Sequence, residues 1–202
     1  MKKYPAIALL EISGIATGIY CADTMIKCAP ITVLKSGTVH NGKYLILIGG
    51  SVASVEEAYY KGLSTASNEL IDHVILPDVH EQVHDAILGE RSDCSREAIG
   101  ILETASVAAI IQSTDAAIKQ TDISIVEIRI ADDLGGKAFS IINGEVEDIE
   151  SAVDIAQERT TKQEFWLCKT VIPNLHQEIG AQIAQSTFFG QLKIQQLAEG
   201  EI

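Results

Sequence analysis

The sequence has no basic patch. Its 15 Lys and Arg stand against 28 Asp and Glu, a net charge of −13, and no basic cluster exceeds Lys2-Lys3. Phosphate backbones need concentrated positive charge, so nucleic acid is not an expected partner. Long apolar runs are missing as well: the longest, near Tyr44 to Ile48, suits a buried strand and falls well short of the ~18 residues of a membrane span. Met1 to Pro5 meets acidic Glu11 too early to head a signal peptide, and the expected location is the cytoplasm. Cysteine is sparse: Cys21, Cys28, Cys94 and Cys168 stand alone, with no C-x-x-C and no histidine at zinc-ligand spacing. They read as small buried hydrophobes or free thiols. Gly49-Gly50 and Gly135-Gly136 lack the flanking residues of a phosphate loop or dinucleotide fingerprint, and no nucleophile elbow occurs. The chain reads as a non-enzyme.

What is present is a repeat. Ala6-Ile7-Ala8-Leu9-Leu10-Glu11 matches Ala98-Ile99-Gly100-Ile101-Leu102-Glu103 at an offset of 92, which also carries Asp23 onto Asp115 and Lys27 onto Lys119. Gly42-Lys43 falls on Gly136-Lys137 at 94, and Pro77 and His80 fall on Pro173 and His176 at 96. Matches that keep their order while the offset drifts so little point to duplication with small loop insertions. Hydrophobic residues at 47% and charged ones at 21% supply a core for each copy.

Each copy reads as strand, helix, hairpin, helix, strand and short helix. Ala6–Glu11 is an apolar strand; Ser13 is the expected N-cap of a helix reaching Ala29, with Ile15, Ile19, Ala22 and Ile26 at helical steps. Pro30 stops that helix. Ile31–Lys35 and Lys43–Ile48 form a hairpin around a polar turn, Val52–Lys61 a second helix, and Asp72–Leu76 a fourth strand before the short helix Val79–Leu88. The expected fold is α+β: two tandem domains, 4–89 and 97–180, each a largely antiparallel four-stranded sheet packed with helices. Gly89 to Arg96 is the linker, and 181–202 is an expected helical C-terminal extension packing on its own domain.

The opening AIALLE…ATGIYCADTMIKCAP, the element GKYLILIGG, the helix SVASVEEAY and the closing ILPDVH, repeated as AIGILET…STDAAIK, GGKAFSIINGEVEDIESAV and VIPNLH, resemble the bacterial microcompartment (BMC) shell-protein domain, which is related to ferredoxin-like folds. The resemblance covers nearly the whole chain twice and is most similar to the tandem, propanediol-utilisation type. It implies a homotrimer that imitates a hexamer, a tile packing beside neighbouring shell proteins, and a central pore for small metabolites or a cofactor. The pore would be lined by Thr38, Val39, His40, Asn41 and Gly42 and by Asp132, Asp133, Leu134, Gly135 and Gly136. The tile edge would carry Asp23, Lys27, His80, Asp115, Lys119 and His176.

In that type, a cysteine in the first turn holds an iron–sulfur cluster at the three-fold pore; this chain has His40 there. Thiolates are the preferred cluster ligands, and none of the four cysteines lies in the turn. Three copies of His40 on one axis make it a candidate metal ligand, or a lining residue that sets pore size and polarity. Asp132 and Asp133 read as a solvated loop, since acid–base work needs fixed geometry in a sheltered cleft. Near an axis they would disfavour anions. The rival readings are an electron-relay or metal-binding protein and a small-molecule sensor.

Overall fold

The computed structural model describes residues 5–94 and 97–193. Each half repeats one order of elements. The first half holds β1 (Ala6–Ile12), α1 (Ile15–Cys28), β2 (Thr32–Thr38), β3 (Tyr44–Gly50), α2 (Val52–Ala66), β4 (Leu70–Leu76) and α3 (Glu81–Ile87). The second holds β5 (Ala98–Thr104), α4 (Val107–Ile118), β6 (Ser124–Ile130), β7 (Ala138–Gly144), α5 (Val146–Arg159), β8 (Trp166–Ile172) and α6 (Gln177–Gln185). Two four-stranded sheets result, ordered β2-β3-β1-β4 and β6-β7-β5-β8, with every pairing antiparallel.

Strand β1 is buried along its whole length, which is why it reads as a continuous apolar run and not as an alternating one. On one face Ala6, Ala8, Leu10 and Ile12 meet α1 and α2 through Cys21, Met25, Val55 and Ala58. On the other, Ile7 and Leu9 join Leu45, Leu47 and Val74 in a core shared with Val107, Ile110, Ile111 and Ile118 of α4. Helix α4 therefore lies across β4 and β1 of the first domain and joins the two halves through apolar packing.

Three sequence expectations shift. Ser13 is not the N-cap of α1: Gly14 holds that position without a side-chain bond, and the Ser13 hydroxyl donates to the Glu69 carbonyl. The face of α1 turned to its own sheet is Gly18, Cys21, Ala22 and Met25, while Ile15, Ile19 and Ile26 point outward. Gly18 is required there, because a Cβ would lie 2.5 Å from the Tyr44 ring that packs over the helix. The C-terminal extension is helical only to Gln185; it then turns through Phe189–Gln191, and residues from 194 onward, including Ile194 and Leu197, lie outside the described residues. It does rest on its own domain: Phe188 stacks 3.5 Å from the Arg129 guanidinium and the Thr187 hydroxyl donates to Glu127 at 2.7 Å.

Candidate functional site: the paired turns and the seam behind them

Strand β2 continues through Thr38, which pairs with Tyr44 and is an exposed strand residue, not part of the turn. The first turn is Val39–Lys43, closed by the Val39 amide donating to the Lys43 carbonyl at 2.9 Å. Asn41 (φ 69°) and Gly42 (φ 72°) take left-handed conformations, for which Asn and Gly are the natural residues. The second turn, Ala131–Lys137, is closed by the same amide-to-carbonyl bond at 2.9 Å but is two residues longer. It absorbs the extra length in left-handed Ala131, Asp133, Gly135 and Gly136. In the first turn His40, Asn41 and Gly42 are exposed and Val39 half-buried. In the second, Asp132, Asp133 and Gly135 are exposed, Leu134 is half-buried and Gly136 buried.

The two turns meet. The Asp133 amide donates to His40 Nδ1 at 2.9 Å, and the Asp133 carboxylate lies 3.8 Å from Nε2. With Nδ1 accepting, the neutral ring carries its proton on Nε2. Beside the turns, a cavity of about 200 Å³ is lined by Leu9, Thr38, Leu45 and Leu47 of the first domain and Ile130 and Asp132 of the second.

Behind the turns sits a buried ionic clamp that the sequence reading missed. Lys43 Nζ lies 2.6 Å from Glu11 Oε1, with the Lys43 side chain 14% and the Glu11 side chain 0% exposed. The same ammonium reaches the Gly136 carbonyl at 3.5 Å, and Glu11 Oε2 accepts from the Val107 amide at 3.0 Å. One buried carboxylate thus anchors the lysine that holds both turns and satisfies a free amide at the start of α4, where negative charge is favoured. Burial pushes the Glu11 carboxyl above its ordinary range despite the opposing pull of Lys43 and the Val107 amide. The signal was available in the duplicated pairs Glu11/Glu103 and Lys43/Lys137.

Farther along α4, about 12 Å from Val107 at 1.5 Å per residue, Asp115 is buried. It binds Lys119 at 2.6 Å and accepts from the His80 amide at 2.8 Å; Lys119 also donates to the Asp78 carbonyl. Three of the predicted edge residues are therefore together, at the outer end of the seam between the domains. The other three are apart: Asp23 and Lys27 pair with each other at 2.6 Å in solvent, and His176 is exposed. His80 and His176 share a local role, each accepting from an amide two residues on, at 3.3 Å, as N-caps of α3 and α6.

An iron–sulfur cluster does not fit the residues at the turns. They offer imidazole, amide and carboxylate but no thiolate, while Cys21 is fully buried in the first core and its thiol is pushed up to about 11 by burial. Among the described residues of one chain, no three His, Cys, Asp or Glu side chains converge as metal ligands.

The BMC domain family matches residues 6–79 and 98–175, one match to each half. The chain belongs to the BMC domain family. It is 37% identical over 180 residues to the bacterial microcompartment shell protein PduT of Citrobacter freundii, covering 89% of this chain and 98% of PduT. The shell protein PduK of the same organism is 40% identical over 74 residues, covering 35% of this chain and 47% of PduK. A solved microcompartment protein from Desulfitobacterium hafniense DCB superposes with a TM-score of 0.77 at 37% identity, covering 87% of this chain and 98% of its own. Two BMC domains in tandem, each an antiparallel four-stranded sheet with helices, make this a protein of the structural shell class. No described helix is long and apolar enough to cross a membrane.

Proposed function

We propose that the chain is a structural, non-catalytic tile of a bacterial microcompartment shell in the cytoplasm. Three copies close head to tail into a pseudohexameric ring, and the paired turns line its central pore. One observation carries the ring: the two domains present complementary surfaces that are matched within the chain and left open at its ends. In α4, Val107, Ile111 and Ile118 are 0%, 0% and 6% exposed against the first sheet; their counterparts in α1, Ile15, Ile19 and Ile26, are 44%, 55% and 50% exposed. Strand β8, the counterpart of the covered β4, leaves Leu167 at 44% and Cys168 exposed. Covering each isoleucine contributes roughly 1 to 2 kcal/mol.

Seating α1 of one copy on β8 and β5 of the next repeats the contact already made inside the chain. Such a heterologous interface either closes into a ring or grows into a filament. Three copies is the number that the resemblance to tandem shell proteins implies. Repeating the seam also pairs Asp23 with the amide of His176 of the next copy and Lys27 with its Asn174 carbonyl, at the rim where neighbouring shell proteins abut. At the centre, His40, Asn41, Asp132 and Asp133 would give a polar, acidic lining for small uncharged or cationic metabolites.

The experiment is a light-scattering mass at micromolar concentration. Three times the 21.7 kDa of one chain supports the tile, and a monomer that forms no sheets at high concentration overturns it. An electron relay is the weaker reading, because His40 Nδ1 already accepts from Asp133 and no thiolate stands near.

A further inference from the structure

The clamp behind the first turn has an unfinished twin. Glu103 and Lys137 are the counterparts of Glu11 and Lys43, and they too form an ion pair, at 3.1 Å. Here, however, Lys137 is 53% and Glu103 34% exposed, against 14% and 0% for Lys43 and Glu11. The difference lies in what covers them. Glu11 and Lys43 are roofed by the second domain, which supplies the Val107 amide to Glu11 and the Gly136 carbonyl to Lys43. Among the described residues of the same chain, none supplies those two groups to Glu103 and Lys137; Glu103 accepts instead from the Cys168 thiol at 3.4 Å.

The missing groups exist on the open side of the first domain. The counterpart of Val107 is Ile15, first residue of α1, and the counterpart of Gly136 is Gly42, last residue of the His40 turn before Lys43. Both are exposed. Strand register makes the correspondence strict at this point, since Glu11 pairs with Leu45 and Asp72 where Glu103 pairs with Phe139 and Cys168.

We propose that Glu103 and Lys137 are half of a clamp completed by a second copy of this chain: Glu103 accepts from the Ile15 amide, and Lys137 donates to the Gly42 carbonyl. This rests on the ring reading above and adds to it. The turns around the centre are then fastened alternately by Lys43 within a chain and by Lys137 between chains. Lys137 is a positioning residue, acting on the pore through the Gly42 carbonyl of the His40 turn. The two clamps also differ in their second neighbour. Asp72, bonded to the Ser106 hydroxyl, stands beside Glu11, whereas Cys168 stands beside Glu103 and Gly14 of the second copy, with no hydroxyl, takes the place of Ser106. The clamp between copies has less buried charge to compensate.

The test uses the full chain as wild type and as Lys137→Met, Lys137→Arg and Glu103→Gln. Dissociation of the assembly is followed by native mass spectrometry on dilution, and amide exchange of Asn41 to Tyr44 by mass spectrometry on the intact assembly. In Lys137→Met and Glu103→Gln the dissociation constant is expected to rise at least tenfold and exchange in the His40 turn to accelerate at least tenfold. Lys137→Arg, which keeps the charge and donors, is expected to restore most of both. In a background carrying Ile19→Asp, which puts a charge on the open face of α1 to block assembly, Lys137→Met is expected to leave Tm unchanged, because Lys137 is 53% exposed in the single chain. A wild-type trimer whose dissociation and turn exchange are both unaffected by Lys137→Met overturns the clamp and leaves the ring standing. A wild-type monomer overturns both.

Discussion

The first helix of each domain starts from the same local recipe and ends in opposite surroundings. Helix α1 turns Ile15, Ile19 and Ile26 to solvent, whereas α4 buries Val107, Ile111 and Ile118 against the neighbouring sheet. Both helices also bury a face on their own domain, through Cys21 and Met25 in α1 and Ser113 and Ala117 in α4. A helix with two apolar faces needs two partners, and the tandem chain provides the second partner once. In the proposed ring, the contact between the domains serves as a template for the contact between copies.

The sharpest way to break the comparison is to place a charge at equivalent positions. Ile111→Asp buries an unpaired carboxylate in the shared core and costs more than about 4 kcal/mol, enough to prevent folding. Ile19→Asp, 92 positions earlier, stays folded with a native circular-dichroism spectrum but runs as a monomer in light scattering. Equal loss of folding in both variants would show that α1 is not an interface.

The clamps give the next largest effect. Lys43→Met leaves the fully buried Glu11 without its cation and destabilises the protein by about 3 kcal/mol at pH 8, read by urea unfolding. The sign of the pH dependence follows from the raised Glu11 carboxyl. A folded-state value above the unfolded one contributes stability that is full at low pH and lost as pH rises through the folded value. With Lys43 gone, that value rises further, so the deficit of Lys43→Met shrinks as pH falls toward the carboxylate range. A deficit that grows on acidification would contradict this assignment.

Much of this was legible in the sequence, because duplication prints Glu11 and Lys43 again as Glu103 and Lys137, and Asp23 and Lys27 again as Asp115 and Lys119. The four strands, the helices between them and the two turns all follow from periodicity and from Gly and Pro placement. What was not legible has specific physical causes. Ser13 looks like an N-cap, but the chain uses its hydroxyl to hold Glu69, and Gly14 takes the cap. Thr38 looks like turn sequence because β2 is an edge strand with polar, exposed residues, yet its backbone still pairs with Tyr44. The stripe Ile15-Ile19-Ile26 has core periodicity, yet its own domain leaves it exposed, and only the proposed ring would bury it. Asp115, Lys119 and His80 were expected at the tile edge, but helical spacing could not tell that they meet one another inside the chain, at the seam between the domains.

The thiols report the same contrast without mutation. Cys21, buried and pushed up to about 11, stays unmodified by iodoacetamide at pH 8 in the folded protein. Cys168 on β8 is exposed in the single chain, beside Glu103. Its alkylation in Ile19→Asp, followed by peptide mass spectrometry, is expected to be at least fivefold faster than in wild type, where α1 of the next copy covers it in the proposed ring. Equal rates would place the interface elsewhere.

The smallest effect belongs to the contact between the turns. His40→Ala removes the acceptor of the Asp133 amide at an exposed site, so its cost is about 0.5 kcal/mol, near the limit of a denaturation experiment. A better reporter is the amide itself. In the monomeric Ile19→Asp background, exchange of the Asp133 amide is expected to be at least threefold slower than in the Ile19→Asp, His40→Ala double variant, which lacks the 2.9 Å bond to Nδ1. If the two exchange at the same rate, the two turns are held by Lys43 and Gly136 alone. The histidine would then be free to face the centre of the ring.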